Sequence, residues 1–136
     1  MTDCIFCKIV EGAIPSEKLS ETPEIVAILD LHPISPGHAL VIPKAHHELM
    51  TDLPGGLLTE AIREAQRVAR AVVKATGAEG FNLLNNNHRC SGQSIAHAHF
   101  HIIPRKTGDG IRYNWNPTQY AEGEMSRMAG SVRAAL

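Results

Sequence analysis

Ala96 to Arg105 reads Ala-His-Ala-His-Phe-His-Ile-Ile-Pro-Arg, and it holds three of the chain's eight histidines at every second position. In an extended strand, a period of two places His97, His99 and His101 on one face and Ala98, Phe100 and Ile102 on the other. A helix would fan the three rings apart. Ile95, Ile102 and Ile103 favour a strand, and Pro104 is expected to end it. Three histidines in register are an unusual way to fill a core, because each buried ring needs its nitrogens satisfied. Two chemistries fit. Neighbouring imidazoles can share a metal, or one of them attacks phosphorus and forms a phosphohistidine intermediate while the others assist. The preceding Asn86-Asn87-His88-Arg89-Cys90-Ser91-Gly92-Gln93-Ser94 is a glycine-containing turn without carboxylates. Such a turn can aim backbone N–H groups at phosphate oxygens, with Asn86 and Ser94 as neutral donors. A metal site would want carboxylates to orient its rings.

The elements that must position this strand follow from patterning. Asp3 is expected to cap a short helix with Ile5, Phe6, Ile9 and Val10 as its apolar stripe and Gly12 at its end. Lys18–Glu21 and Ile25–Leu29 read as a hairpin around Thr22-Pro23-Glu24, and residues 38–42 as a further strand stopped by Pro43. Thr51 to Thr76 reads as the one long helix, capped by Thr51 or Asp52, with Leu58, Ile62, Ala65, Ala69, Val72 and Val73 facing the core. Glu60, Arg63, Glu64, Arg67 and Arg70 are assigned to its solvated face. Gly80 to Asn86 is a strand that turns polar, and Tyr120 to Ala135 a terminal helix. Strands grouped in an antiparallel way around one long helix indicate an α+β domain over residues 1–136.

Composition narrows the class. The chain has 136 residues, a net charge of −1 and three cysteines. No strong field draws it to nucleic acid. No apolar run reaches the ~20 residues of a membrane span. Met1-Thr2-Asp3-Cys4 lacks the basic and apolar regions of a signal peptide, so a cytoplasmic location is expected. An odd number of cysteines argues against a disulfide framework. Cys4 and Cys7, one helical turn apart, fit a zinc half-site, a redox pair or two idle thiols. Cys90, His32, His38 and His47 receive no role.

His97-Ala98-His99-Phe100-His101-Ile102-Ile103 resembles the His-φ-His-φ-His-φ-φ signature of the histidine-triad (HIT) superfamily of nucleotidyl hydrolases and transferases. The resemblance begins at Ile5-Phe6-Cys7-Lys8-Ile9. It includes Ile28-Leu29-Asp30 and Leu40-Val41-Ile42-Pro43-Lys44-Ala45-His46, and continues through Gly92-Gln93-Ser94 to Pro104-Arg105. Ser94 is similar to the serine of the Hint branch, whereas Pro104-Arg105-Lys106 is also like the Fhit branch. The resemblance implies an antiparallel sheet of about five strands with one long and one short C-terminal helix, usually in a homodimer joined across the long helix and its neighbouring strand.

It further implies that His99 attacks the α-phosphorus of a purine nucleotide, with an adenylate phosphoramidate as the expected substrate. His101, Asn86, Gly92 and Ser94 would hold the phosphate, and Ser94 would protonate the departing amine. Gln93 is expected to matter less. Asp30 would accept from the ribose hydroxyls, and Phe6, Ile28 and Leu31, with Ile5 and Ile9, would wall the base pocket. Relatives with the N-terminal Cys-x-x-Cys imply one structural zinc on Cys4, Cys7, His46 and His97. Rival expectations are a dinucleoside polyphosphate hydrolase, a nucleotide-binding regulator with slow turnover, and a zinc hydrolase using the triad as ligands. The chain departs from the family pattern in three places. His88 replaces a common glycine, Ile28 and Leu29 replace a base-pocket aromatic, and the segment around Trp115 is unlike eukaryotic Hint tails.

Overall fold

The computed structural model describes residues 3–136; Met1 and Thr2, part of the expected N-terminal reading, lie outside the described residues. In chain order the elements are α1 (Ile5–Val10), β1 (Lys18–Glu21), β2 (Ile25–Leu29), β3 (Ala39–Pro43), α2 (Gly55–Thr76), β4 (Gly80–Leu84), β5 (Phe100–Arg105) and α3 (Glu124–Ala135). The five strands form one antiparallel sheet in the order β1-β2-β3-β5-β4. The α+β class and the five-stranded sheet are as expected. No described helix is long and apolar enough to cross a membrane.

Each face of the sheet is covered differently. Alternation along β2, β3 and β5 sends Ile25, Ala27, Ala39, Val41, Phe100 and Ile102 toward α2, where they meet Leu57, Ala61, Ala65, Val68, Ala69 and Val72. Val26, Ile28, Leu40 and Ile42 point the other way and pack under Phe6 and Ile9 of α1. The histidines share this second face, so α1 is the element that roofs them.

The long helix starts later than its sequence suggests. Met50–Asp52 is a separate 3-10 turn in which Asp52 accepts from the Leu49 N–H, and Pro54 then opens α2. Its buried face is also rotated. Leu57, Ala61 and Val68 are buried, while Ile62 is 41% exposed. Glu64, assigned to the solvated face, is buried. It accepts from the Ser20 hydroxyl and from both ends of the Arg67 guanidinium, at 3.1 Å and 2.7 Å. These bonds hold its carboxyl below the usual range, the guanidinium contributing most. A carboxylate with three donors belongs to the helix–sheet interface as readily as a leucine does.

Strand boundaries also move: β3 starts at Ala39 and takes in Pro43, and β4 stops at Leu84. The β5 ladder begins at Phe100 and continues through Pro104 to Arg105. Its register with β3 ends at Ile102↔Ala39, so Pro104 lies where β5 has a single neighbour and the missing donor costs that ladder nothing. At the other end, His97 and His99 precede the ladder yet keep the strand's alternation, because Ala98 and Phe100 remain locked in the α2 core.

Gly37 delivers the chain into β3. It has φ +93°, and a Cβ there would stand 2.6 Å from Thr76 Cγ2 and 3.3 Å from Pro104 Cγ. Gly37→Ala therefore combines a disfavoured backbone with a clash. The expected cost is about 1–3 kcal/mol, measured as a lowered denaturant midpoint at unchanged slope. An unchanged midpoint would contradict the packing at this turn.

Candidate active site and metal centre

Burial forces each histidine of the strand to commit its ring protons, and the partners identify the tautomers. His99 is buried. Its Nδ1 lies 2.7 Å from the backbone carbonyl of His97. A carbonyl only accepts, so Nδ1 carries the proton and Nε2 keeps its lone pair. Burial lowers its pKa, which keeps the ring neutral despite the opposing pull of that carbonyl. The result is an imidazole held in a nucleophilic form. Asn85 braces the same residue from below, donating through Nδ2 to the His99 carbonyl at 2.9 Å.

His97 turns its functional nitrogen elsewhere. It is fully buried and donates Nε2–H to the Pro43 carbonyl at 2.8 Å. Nδ1 is thereby left as a lone pair, 3.3 Å from Cys4 Sγ and 3.7 Å from Cys7 Sγ. His46 Nδ1 stands 3.4 Å from Cys7 Sγ. The four ligand atoms of Cys4, Cys7, His46 and His97 lie within 4.8 Å of one another. A tetrahedral zinc with ordinary Zn–S and Zn–N bonds puts sulfur and nitrogen ~3.5 Å apart, and the observed separations bracket that value. The donor set therefore fits a closed Cys2His2 centre. Burial, followed by the neighbouring Cys4, pushes the Cys7 thiol up; a bound cation would reverse that preference by stabilising thiolate.

The remaining predicted residues distribute unevenly. Phe6 packs edge-on against both His97 and His99, at centroid distances of 5.7 Å and 4.9 Å. Phe6 and Ile28 are only 3% and 4% exposed and pack together at the histidine face, whereas Leu31 is 76% exposed beside Asp30. Asp30 Oδ1 accepts from the His32 N–H at 2.8 Å. Asn86 lies against Gly92, whose Cβ position is 3.4 Å from Asn86 Nδ2. Ser94 is exposed and lines a cleft of about 360 Å³ with Cys4, Ile5, His46, Glu48 and Ile95. Gln93 matters more to the loop than expected. It is buried, accepts from the His88 N–H at 2.7 Å and donates to the Glu48 carbonyl at 2.7 Å.

His88 has φ +68° and ψ 159°, a region that glycine enters freely and other residues rarely do. The common family glycine at this position thus has a backbone reason. Sequence reasoning passed over His38, which is buried with its Nε2 2.9 Å from His101 Nδ1. A signal was present: His38 continues the alternation of Leu40 and Ile42, so it belongs to the histidine face.

Comparison with known proteins shows the family. The HIT domain family matches residues 11–108. The chain is a HIT-family protein. An adenosine 5'-monophosphoramidase of Schizosaccharomyces pombe is 45% identical to this HIT protein over 134 residues, covering 98% of each chain. A crystal structure from Streptococcus mutans superposes with a TM-score of 0.94 at 35% identity, over 99% of this chain and 86% of that one. A zinc-bound histidine-triad protein from Mycobacterium smegmatis superposes with a TM-score of 0.78 at 33% identity, over 99% of both chains.

Proposed function

We propose that this HIT protein hydrolyses adenylate phosphoramidates and related purine nucleoside phosphoramidates through a nucleotidyl-His99 intermediate. The observation that carries the reading is His99 itself, buried and neutral, with Nδ1 given to the His97 carbonyl and Nε2 free. Nε2 attacks the α-phosphorus, the P–N bond breaks, and the amine leaves with the hydroxyl proton of Ser94. Water then attacks the phosphorus of nucleotidyl-His99, its oxygen joining the monophosphate and its proton returning to Ser94 as the P–N bond to His99 breaks and the ring is restored. His101, Asn86 and the Gly92–Ser94 backbone hold the phosphate oxygens, and Gln93 braces their loop. Asp30 accepts from the ribose hydroxyls, and Phe6, Ile28 and Leu31 meet the base. The leaving amine occupies the cleft beside Ser94.

A zinc ion on Cys4, Cys7, His46 and His97 would supply structural cross-linking there, with all four positions filled by protein. The similarity to a named adenosine 5'-monophosphoramidase supports the substrate class. A panel of adenylate phosphoramidates and dinucleoside polyphosphates tests it, with kcat/KM expected to favour the phosphoramidates. Preference for the polyphosphates would replace this reading with a Fhit-like one, and turnover of neither would favour a nucleotide-binding regulator. The protein is proposed to act in the cytoplasm, without nucleic acid or membrane.

We also propose a homodimer in which β4 and α2 meet their counterparts. β4 is an edge strand, and its Phe81 and Leu83 are 46% and 49% exposed. An unpaired edge with large apolar side chains is a ready surface for a second copy. Light scattering should give twice the mass of one chain, and Phe81→Asp should halve it. A wild-type monomer at micromolar concentration would end the proposal.

A further inference from the structure

We propose that Asn87 and Asn85 are positioning residues that relay a hydrogen bond from the Met50 backbone N–H to the backbone carbonyl of His99 and so fix the aim of the nucleophile; this rests on the phosphoramidase reading above. Three contacts make the relay. The Met50 N–H donates to Asn87 Oδ1 at 2.8 Å. Asn87 Nδ2 donates to Asn85 Oδ1. Asn85 Nδ2 donates to the His99 carbonyl at 2.9 Å. The two ends set the direction, because a backbone N–H only donates and a carbonyl only accepts. Each amide between them therefore turns its oxygen toward Met50 and its NH2 toward His99. Reversing either one would set like atoms against each other.

The main chain at His99 needs such support. The β4–β5 ladder stops at Leu84↔His101, and His99 lies beyond it. The Asn85 side chain takes hold of the strand where backbone pairing ends. One residue before His99, the Ala98 N–H is bonded to the His47 carbonyl at 2.7 Å. The His99 ring is tied in turn to the His97 carbonyl through Nδ1, at 2.7 Å. With the ring held to its own strand, a shift of that strand would swing Nε2 with it. The far end of the relay is anchored in the core. Met50 begins the 3-10 turn that leads into α2, and its side chain packs against the α2 cluster. The nucleophile is thereby referred to that core rather than to the loop at residues 88–94.

The three consecutive asparagines divide into two roles. Asn86 lies against Gly92. Both polar ends of the Asn87 side chain are taken, by Met50 and by Asn85, and neither is bonded to His99. Any effect of Asn87 on the nucleophile therefore passes through Asn85. Residue type matters as much as place. An aspartate at position 87 would accept from Met50 but have no proton to pass on. Asn85 would then turn its NH2 toward that carboxylate and set its oxygen against the His99 carbonyl. Neutral amides avoid this, and their polarity does not change with pH.

The test uses full-length protein and rapid-quench kinetics on an adenylate phosphoramidate, with Tm measured for every variant. Asn85→Leu and Asn87→Ala should each slow formation of nucleotidyl-His99 about 10-fold, with KM changing little. The double variant should lose no more than Asn85→Leu alone, since both substitutions break one chain. Asn87→Asp keeps the shape without the donor and should be slowed at least as much as Asn87→Ala. Val72→Ala, which loosens the core on the opposite face of the sheet, should keep the wild-type rate and so separate loss of aim from loss of stability. A readout without substrate is the 13C shift of the His99 carbonyl. It should move in Asn87→Ala, although that side chain is not bonded to it. Wild-type rates in Asn87→Ala or Asn87→Asp, losses that multiply in the double variant, equal slowing in Val72→Ala, or an unmoved His99 carbonyl would each overturn the proposal. A moved carbonyl in a protein that turns over no phosphoramidate would leave the relay intact and refute the phosphoramidase reading instead.

Discussion

His99→Ala should abolish turnover of an adenylate phosphoramidate, lowering kcat by about a thousand-fold or more, because it removes the atom proposed to form the intermediate. The same variant should lose the covalent label that the wild type acquires on brief exposure to a radiolabelled substrate. That label should be stable in base and labile in acid, as expected of a phosphorus–imidazole bond. Stability should change much less. His99 packs against Phe6 and His101, and truncation leaves both partners in place. Retained activity in the variant would eliminate the covalent route. Retained labelling with lost hydrolysis would move the nucleophile to another histidine.

Cys4→Ser should have the largest effect on stability. If the Cys4, Cys7, His46 and His97 set holds zinc, metal analysis gives about one zinc per wild-type chain and far less in the variant. The cluster ties α1 to the segment after β3 and to the entry of β5, which are distant in sequence. Losing such a cross-link should cost about 3 kcal/mol, or ~10 °C in Tm. Mild chelation of the wild type should lower Tm before it lowers kcat, because no open ligand position serves the reaction. A wild-type protein without metal, as stable as Cys4→Ser, would leave the pair as plain thiols. Activity that vanished with the metal and returned at once on its addition would favour a zinc hydrolase.

The fold was legible wherever one physical signal dominated. Period-two alternation placed Ala98, Phe100 and Ile102 against α2 and the three histidines opposite them, as found. The β1–β2 hairpin lies where Thr22-Pro23-Glu24 put it, and β2 spans the predicted Ile25–Leu29. The α2 face was misread because charge was taken as a sign of solvent. Glu64 is buried on partners from β1 and from its own helix, which no local pattern records. At the site, the histidines and the Cys-x-x-Cys pair announced themselves by type and spacing. Their differentiation did not. What each ring can offer depends on the nearby His97 carbonyl and on the Pro43 carbonyl and His38, the last two reached only through tertiary contacts. His88 is a middle case: its residue type is visible in the chain, but the backbone strain is visible only in the fold.

The late start of the β5 ladder has a consequence for where this chemistry can live. His97 and His99 sit on the approach to the strand rather than within it, so their main-chain groups are not consumed by pairing. The His97 carbonyl is available to take the His99 ring proton, the His99 carbonyl to take Asn85, and the Ala98 N–H to meet the His47 carbonyl. Slide the same three histidines inward along β5 and the neighbouring strands would compete for those groups. The motif thus needs a frontier, a stretch that inherits a strand's alternation from the core beneath it while its backbone stays unspoken for. On that view, transplanting the motif into another sheet would require matching the place where pairing stops as closely as the residues themselves.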